Sequence, residues 1–329
     1  MYISINNQQD HRYAEEYITI EPGTASLGII ENLSDYGVIK SSLPVKVYLK
    51  FFGAHRKLQA GDYKFASPIS PWEVLQQLEN GRTRAQILTI PEGWTRFEIA
   101  ERIASQVYDN KKFTKEDVLL AMDNTASIRS IDTVADNLEG YLYPNTYHVS
   151  IRDEPDAILR KMVKEFEKAW HPDWDKVAEE RGLTMRDVVI IASLIESETR
   201  VDAEKPLVAS VIYNRIRQSV PLGIDASNVY IAKMLGKWDG IIHKSDVTID
   251  HPYNTRIIHG LPPGPICSAS QSALEAALYP ADTDYLYYVL NVIANDGSHH
   301  FYSNSAGFAE GKRQYQQWLN NQRAPLSEE

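Results

Sequence analysis

The feature that most restricts this chain is a run of eight apolar or small residues, 188–195, leading straight into Glu196-Ser197-Glu198-Thr199. The run lies inside a helix predicted from Met185 to about Thr199. A helix that is apolar on nearly every side is buried on nearly every side, so the rest of the fold must be built around it. With Ser193 inside it and only eight residues long, the run is far short of the roughly 20 residues a membrane span needs.

A carboxylate at the end of such a helix either lines a cleft or is badly placed energetically. Burial disfavours its charged form and the helix C-terminal dipole pushes the same way, so its pKa rises. A glutamic acid protonated near neutral pH is what a general acid must be. Glu196 and Glu198 stand two residues apart, about 200° around a helix, so they cannot both face one site. Glu198 shares a face with Ile191, Leu194 and Ile195 and is taken as the acid, with Glu196 in support. In the competing reading both merely end the helix, capping it or pairing with Arg200 or Arg215.

Composition narrows the rest. At 329 residues, 43% hydrophobic and 24% charged, the chain can fill two or three domains and is no disordered polymer. A net charge of −10 leaves no basic surplus for phosphates, which excludes a nucleic-acid partner. The single Cys267 excludes an internal disulfide and a thiolate cluster. The 19 tyrosines suit carbohydrate faces and domain interfaces alike. The N-terminus has no cationic and apolar leader pattern, which by itself points to the cytoplasm.

The fold class expected is α+β. Residues 1–15 read as a flexible arm and 323–329 as a frayed tail. Between them, residues 16–84 read as strand 17–20, helices 25–33 and 44–52, strand 59–65 and helix 71–81. The second helix takes Pro44 in its first turn, and the third has Pro71 at its start and Gly81 at its end. A strand at 85–90, a Pro91-Glu92-Gly93 turn and a Thr95-capped helix over 96–107 repeat the grammar of residues 18–33. That echo suggests a duplicated unit or two packed subdomains. Residues 153–319 are read as mainly helical, with helices over 157–170, 185–199, 270–278 and 309–319, one capped by Asp202, and a strand over 285–290. Residues 220–268, rich in Pro, Gly, Asn and Asp, read as a long ordered loop, the kind of segment that carries sites.

Other chemistries find little support. His243, His251 and His259, eight apart, and His299-His300 match no zinc spacing, and no GxSxG elbow or glycine-rich phosphate loop is present. No metal and no cofactor is expected, and nothing marks Cys267 as a nucleophile. Two loop motifs stand out. Residues 138–147 set Tyr141, Tyr143 and Tyr147 around Gly140 and Pro144. His251-Pro252-Tyr253-Asn254-Thr255 leads into the stiff Gly260-Leu261-Pro262-Pro263-Gly264-Pro265-Ile266. Aromatic faces with amides and hydroxyls suit sugar rings; the same residues could equally buttress a core.

In these segments, together with 191–199, 208–216 and 221–225, the chain resembles the endolytic murein transglycosylases, the MltG/YceG-like family, over roughly residues 17–320. The resemblance implies a LysM-like module over 16–84 and a catalytic domain over 85–322 that cuts peptidoglycan glycan strands internally. It also implies that Glu198 is the catalytic residue. Asn214, Asp225, Tyr253 and Asn254 are then the candidates to hold the sugar, with Glu196, Glu139 and Tyr147 supporting them. Such a protein would work at the extracytoplasmic face of the inner membrane, in the periplasm, with peptidoglycan as substrate and peptidoglycan synthases beside it. Relatives usually carry an N-terminal membrane anchor, and no such segment is present here. Gly223 stands where the family has a glutamine, and near Gly311 a common histidine is missing.

Lytic cleavage needs one carboxylate, because the substrate's own C6 hydroxyl is the nucleophile; hydrolysis by most glycosidases needs two. A muramidase would therefore require a partner such as Asp225 or Asp250. A non-catalytic glycan-binding protein is the third reading.

Overall fold

Apolar side chains drawn from most of the first 80 residues meet in one core: Ile18, Ile20, Ile30, Leu33, Val45, Tyr63, Phe65, Val74 and Leu78. The structure, a computed structural model, describes residues 5–21, 23–52, 57–81, 86–294 and 296–323. The chain forms two units, Met1–Ile87 with His148–Asp153, and Leu88–Tyr147 with Glu154–Glu329. Both mix helix and strand, so the fold is α+β.

The smaller unit runs β1 (Ile18–Ile20), α1 (Ser26–Asp35), α2 (Ser42–Phe51), β2 (Gly61–Tyr63) and α3 (Pro71–Asn80). β1 and β2 pair antiparallel with Ile18 opposite Tyr63. Helix α3 shows why its ends were legible. Ser70 and Glu73 form a reciprocal capping box, Pro71 occupies the first turn, and Gly81 closes it at φ 63°. The arm expected over 1–15 is corrected for its described part. Ile5 is 1% exposed, Gln9 bridges to Ile69 through two backbone hydrogen bonds, and the Gln9 side chain accepts from the Lys40 amide. An apolar residue at Ile5 and a strand-like bridge tie the segment to the core. Residues 1–4 and 324–329 lie outside the described residues, and Arg323 ends the last helix instead of opening a tail.

The larger unit begins at Leu88 within β3 (Gln86–Ile90) and goes on to α4 (Arg96–Arg102), which continues through a π turn to Val107. It proceeds through α5 (Lys115–Met122), β4 (Asn145–Val149), which forms a sheet with β3, α6 (Pro155–Ala169) and α7 (Trp174–Glu180). Then come α8 (Met185–Glu198), α9 (Lys205–Arg217), α10 (Asp225–Met234), the short α11 (Lys244–Val247) and α12 (Gln271–Leu278). The antiparallel hairpin β5 (Tyr287–Leu290) and β6 (His299–Tyr302) and the long α13 (Ser305–Arg323) complete it.

Helix α8 is the axis of this unit. Thr184 and Asp187 cap its start, every residue from Val188 to Ile195 is buried, and α12, α9, α10 and α7 pack around it. The stretch expected as one long loop, 220–268, in fact holds α10 and α11. Its Asn and Asp content hid them, because those residues are poor helix formers except near caps. Asp202 does not cap a helix; it lies in a 3-10 turn, and its carboxylate pairs with Lys205 at 2.9 Å. Among the described residues no helix is long and apolar enough to cross a membrane.

Candidate active site

The two tyrosine- and proline-rich motifs meet on the flank of α8. Gly140 sits at φ +81°, and a Cβ there would fall 2.5 Å from Pro265 and 2.8 Å from Val189. Only glycine lets the three segments approach so closely. Ser193, inside α8, accepts the Ile266 amide at 3.1 Å and donates to the Ile190 carbonyl. Ser268 exchanges backbone hydrogen bonds with the Gly93–Trp94 turn, both 2.8 Å. Helix α8 thereby holds segment 266–270, and that segment holds the turn after β3.

Between these elements lies a cleft of about 810 Å³, lined by Glu92, Trp94, Glu196, Glu198, Tyr230 and Lys233 among others. The expectation that the two glutamates at the end of α8 cannot face one site is corrected, since both line this cleft, but they take different partners. The Glu196 carboxylate accepts from Lys205 at 3.2 Å, from the Ser270 amide at 3.0 Å and from the Ser270 hydroxyl. Lys205 is 2% exposed and also donates to Ser270 and Ser272. Glu196 thus ties α8 to the starts of α9 and α12, and its charge is neutralised there.

Glu198 turns the other way. The Tyr288 hydroxyl donates to its Oε2 at 2.5 Å. Burial pushes the Glu198 pKa up, the Tyr288 hydrogen bond pulls against it, the nearby Asp225 charge adds to the rise, and His299 and Arg215 oppose it. The net direction is upward, toward the protonated form. Tyr288 itself is held protonated, its pKa raised well above the ordinary phenol value by burial and then by Glu198, so it remains a donor. Behind it, the His299 ring meets the Tyr288 ring edge-on at 5.6 Å. Glu204 receives the His299 amide at 2.6 Å and lies 2.8 Å from its Nδ1, and Thr199 donates to the same carboxylate at 3.2 Å. Arg215 spends its guanidinium on the carbonyls of Leu222 and Leu286, at 2.5 and 2.7 Å, so the pairing with Glu198 considered from the sequence is not formed.

A half-buried, neutralisable carboxyl on a cleft wall, oriented by a phenol, can deliver a proton to a bound ether oxygen and take one back. The profile of the YceG-like family matches residues 18–314. The chain belongs to the YceG-like family. The endolytic murein transglycosylase of Bacillus subtilis (strain 168) is 33% identical over 290 residues, covering 83% of this chain and 78% of that protein. The endolytic murein transglycosylase of Streptococcus pneumoniae serotype 2 (strain D39 / NCTC 7466) is 28% identical over 305 residues. That alignment takes in 85% of this chain but only 55% of the streptococcal protein. A crystal structure of a YceG-like protein from Listeria monocytogenes superposes with a TM-score of 0.59 at 29% identity, covering 89% of this chain and 98% of that one.

The residues singled out in this YceG-like sequence separate into three groups. Glu196 and Glu198 share the cleft wall, and Asp225 opens α10 close enough to act on Glu198, with Arg256 donating to it at 2.8 Å. Glu139 and Tyr253 stand behind the cleft residue Tyr230. Tyr230 hydrogen-bonds Glu139, and its ring packs 5.3 Å from that of Tyr253. Glu139 is 3% exposed and accepts the first amide of α4, Arg96 N–H, at 2.9 Å. Burial still lifts its pKa to about 7. The others turn away from the cleft. The Asn214 amide donates to the Thr283 and Tyr285 carbonyls, both 2.9 Å. Asn254, 0% exposed, clasps its own loop through the Val247 and Ile249 carbonyls. Tyr147 donates to the Tyr143 carbonyl. Gly223 adopts φ +63°, a left-handed turn that glycine takes without strain.

Tyr288, His299, Glu204 and Lys205 escaped the sequence reading. The strand containing Tyr288 was legible, but its partner β6 was not, and His299 drew notice only as a metal candidate. Cys267 is buried and donates to the Ser193 carbonyl; burial drives its pKa well up, which leaves a packed thiol and no nucleophile.

Proposed function

We propose that this protein is an endolytic lytic transglycosylase that cuts the bond between N-acetylmuramic acid and N-acetylglucosamine within peptidoglycan strands. The single observation that carries the reading is Glu198: a carboxyl with a raised pKa on the cleft wall, bonded to Tyr288. The relatives from Bacillus and Streptococcus, both named endolytic murein transglycosylase, support the same chemistry.

With Oε2 occupied by the Tyr288 hydroxyl, Oε1 is the oxygen that carries the proton. Glu198 donates it to the glycosidic oxygen as the bond to muramic C1 breaks. The resulting carboxylate then takes the proton of the muramic C6 hydroxyl while that oxygen closes on C1. The products are a 1,6-anhydro-muramic end and a free N-acetylglucosamine hydroxyl. One carboxylate suffices for this route, unlike ordinary glycoside hydrolysis. Of the other acids near the cleft, Glu196 and Asp202 are engaged with Lys205 and Asp225 with Arg256, and Glu92, on the same wall, has its pKa raised by burial and by the Glu196 charge. Asp225 and Tyr253 shape the cleft from its rim and rear. Asn214, Asn254, Glu139 and Tyr147 hold the elements that carry it.

Residues 16–84, within the smaller unit, are read as the LysM-like module that accompanies a catalytic domain over 85–322. In this reading the protein works at the extracytoplasmic membrane face beside peptidoglycan synthases. Mass spectrometry of products from purified peptidoglycan tests the chemistry. Muropeptides one water lighter, absent with Glu198→Gln, support the lyase. Reducing ends turn the reading to a muramidase, and an absence of products turns it to a binding protein.

A further inference from the structure

A second hollow of about 520 Å³ opens beside the cleft and shares Trp94 and Lys233 with it. One side of α4 supplies Phe97, Glu98, Glu101 and Arg102, and Lys115 and Trp238 face them. Two of its cations are matched: Lys233 meets Glu98 at 2.7 Å and Lys115 meets Glu101 at 3.5 Å. Arg102 is different. Its guanidinium lies over the Trp94 ring, 4.7 Å from the centroid, and among the described residues it has no carboxylate partner. In a protein of net charge −10, this hollow carries one more positive than negative side chain. Stacking on Trp94 fixes the guanidinium plane at little entropic cost, which favours a planar, bidentate anion.

We propose that this hollow is a subsite for the stem peptide of a muramic residue next to the one being cleaved, with Arg102 binding a peptide carboxylate and Trp94 and Trp238 packing against the peptide's methyl groups. The inference rests on the peptidoglycan reading given above. Peptide-linked glycan is itself uncharged, because the lactyl group of each muramic acid is tied up in an amide. A cation in a hollow beside the cleft therefore finds no anionic group on the strand except the carboxylates of the peptide. Continuity with the cleft through Trp94 and Lys233 sets the hollow on the path a long strand takes, and an enzyme cutting inside strands must hold sugars on both sides of the bond.

The test is a binding measurement that needs no turnover. Calorimetry with the Glu198→Gln protein compares three kinds of soluble, uncross-linked strands: unmodified, carbodiimide-amidated so that peptide carboxylates become amides, and amidase-stripped so that only lactyl carboxylates remain. A charge-assisted hydrogen bond to arginine corresponds to about tenfold in Kd, so amidated and stripped strands should each bind about tenfold more weakly than unmodified ones. Adding Arg102→Gln should bring the unmodified-to-amidated ratio from about ten to about one, and Arg102→Lys, which keeps the cation, should retain part of it. The protein's overall negative charge predicts the reverse order, because amidation removes repulsion, so general electrostatics cannot imitate the result. Equal binding of unmodified and amidated strands overturns the subsite and leaves the cleavage reading standing. Stripped strands binding as tightly as unmodified ones overturn it too, by assigning Arg102 to the lactyl carboxylate. No binding to any strand overturns both readings.

Discussion

Glu139 offers the sharpest quantitative test, because its pKa, its burial and its partners are all defined. It is 3% exposed, and burial raises its pKa from the ordinary 4.5 to about 7, against the opposing pull of the Arg96 amide and charge and of Tyr230. Below about pH 4.5 the folded and unfolded chains both hold this proton, and the contribution to stability is complete. Between 4.5 and about 7 the unfolded chain gives the proton up while the folded chain keeps it, so stability falls as pH rises. At 1.36 kcal/mol per pH unit, that span corresponds to a loss of about 3 kcal/mol. Glu139→Gln keeps the shape and the hydrogen bonding to Arg96 N–H but cannot titrate. The wild type should therefore lose about 3 kcal/mol relative to the variant between pH 4 and pH 8. Taking the difference cancels every other titrating group. Urea unfolding followed by tryptophan fluorescence suits the measurement, since Trp94, Trp170, Trp174, Trp238 and Trp318 lie in the larger unit and only Trp72 in the smaller. A wild-type-minus-variant difference that stays flat with pH, or that grows as pH rises, refutes the assignment of Glu139 as a buried carboxyl held protonated.

Two further substitutions test the site and its scaffold. Tyr288→Phe removes the hydrogen bond that lowers the Glu198 pKa, so the alkaline limb of the kcat/KM profile should move to higher pH, with kcat down about tenfold; an unmoved limb would show that the phenol does not act on the acid. Gly140→Ala places a Cβ 2.5 Å from Pro265 at a φ of +81°, which should destabilise the larger unit by about 3 kcal/mol. A melting temperature within a degree of the wild type would refute the close packing of the two loop motifs on α8.

Much of the helical framework was legible because its signals are local. Thr184 with Asp187, Thr95 with Glu98 and Ser70 with Glu73 each announce a helix start through contacts three residues apart. The end of α8 was legible for the same reason. Helical geometry alone points Glu196 and Glu198 in different directions, and the structure has one bonded to Lys205 and Ser270 and the other to Tyr288. The sequence expectation went astray where local signals were weak or the outcome was not local. Helix α10 is built from Asp, Ser and Asn as well as apolar residues, and its pattern was taken for loop. The hydrogen bonds that Asn214 and Asn254 give to the Thr283 and Ile249 carbonyls, 69 and 5 residues away, were likewise not announced by any local pattern.

Sequence by itself determined the buried axis helix, the divergent pair of glutamates at its end and the family to which the chain belongs, since these depend on residue order and backbone periodicity over a few turns. Tertiary structure alone decided what surrounds Glu198. Tyr288 lies 90 residues away along the chain and reaches it from β5, where Tyr288 pairs with Phe301 and Leu290 with His299 in one particular register. A slip of one residue would turn Tyr288 to the opposite face of the hairpin. That register is selected by packing against α13 and by the ring contacts of Tyr287 with Phe308 and of Tyr285 with Phe301. These are side-chain energies summed over the assembled unit, and no short stretch of sequence contains them.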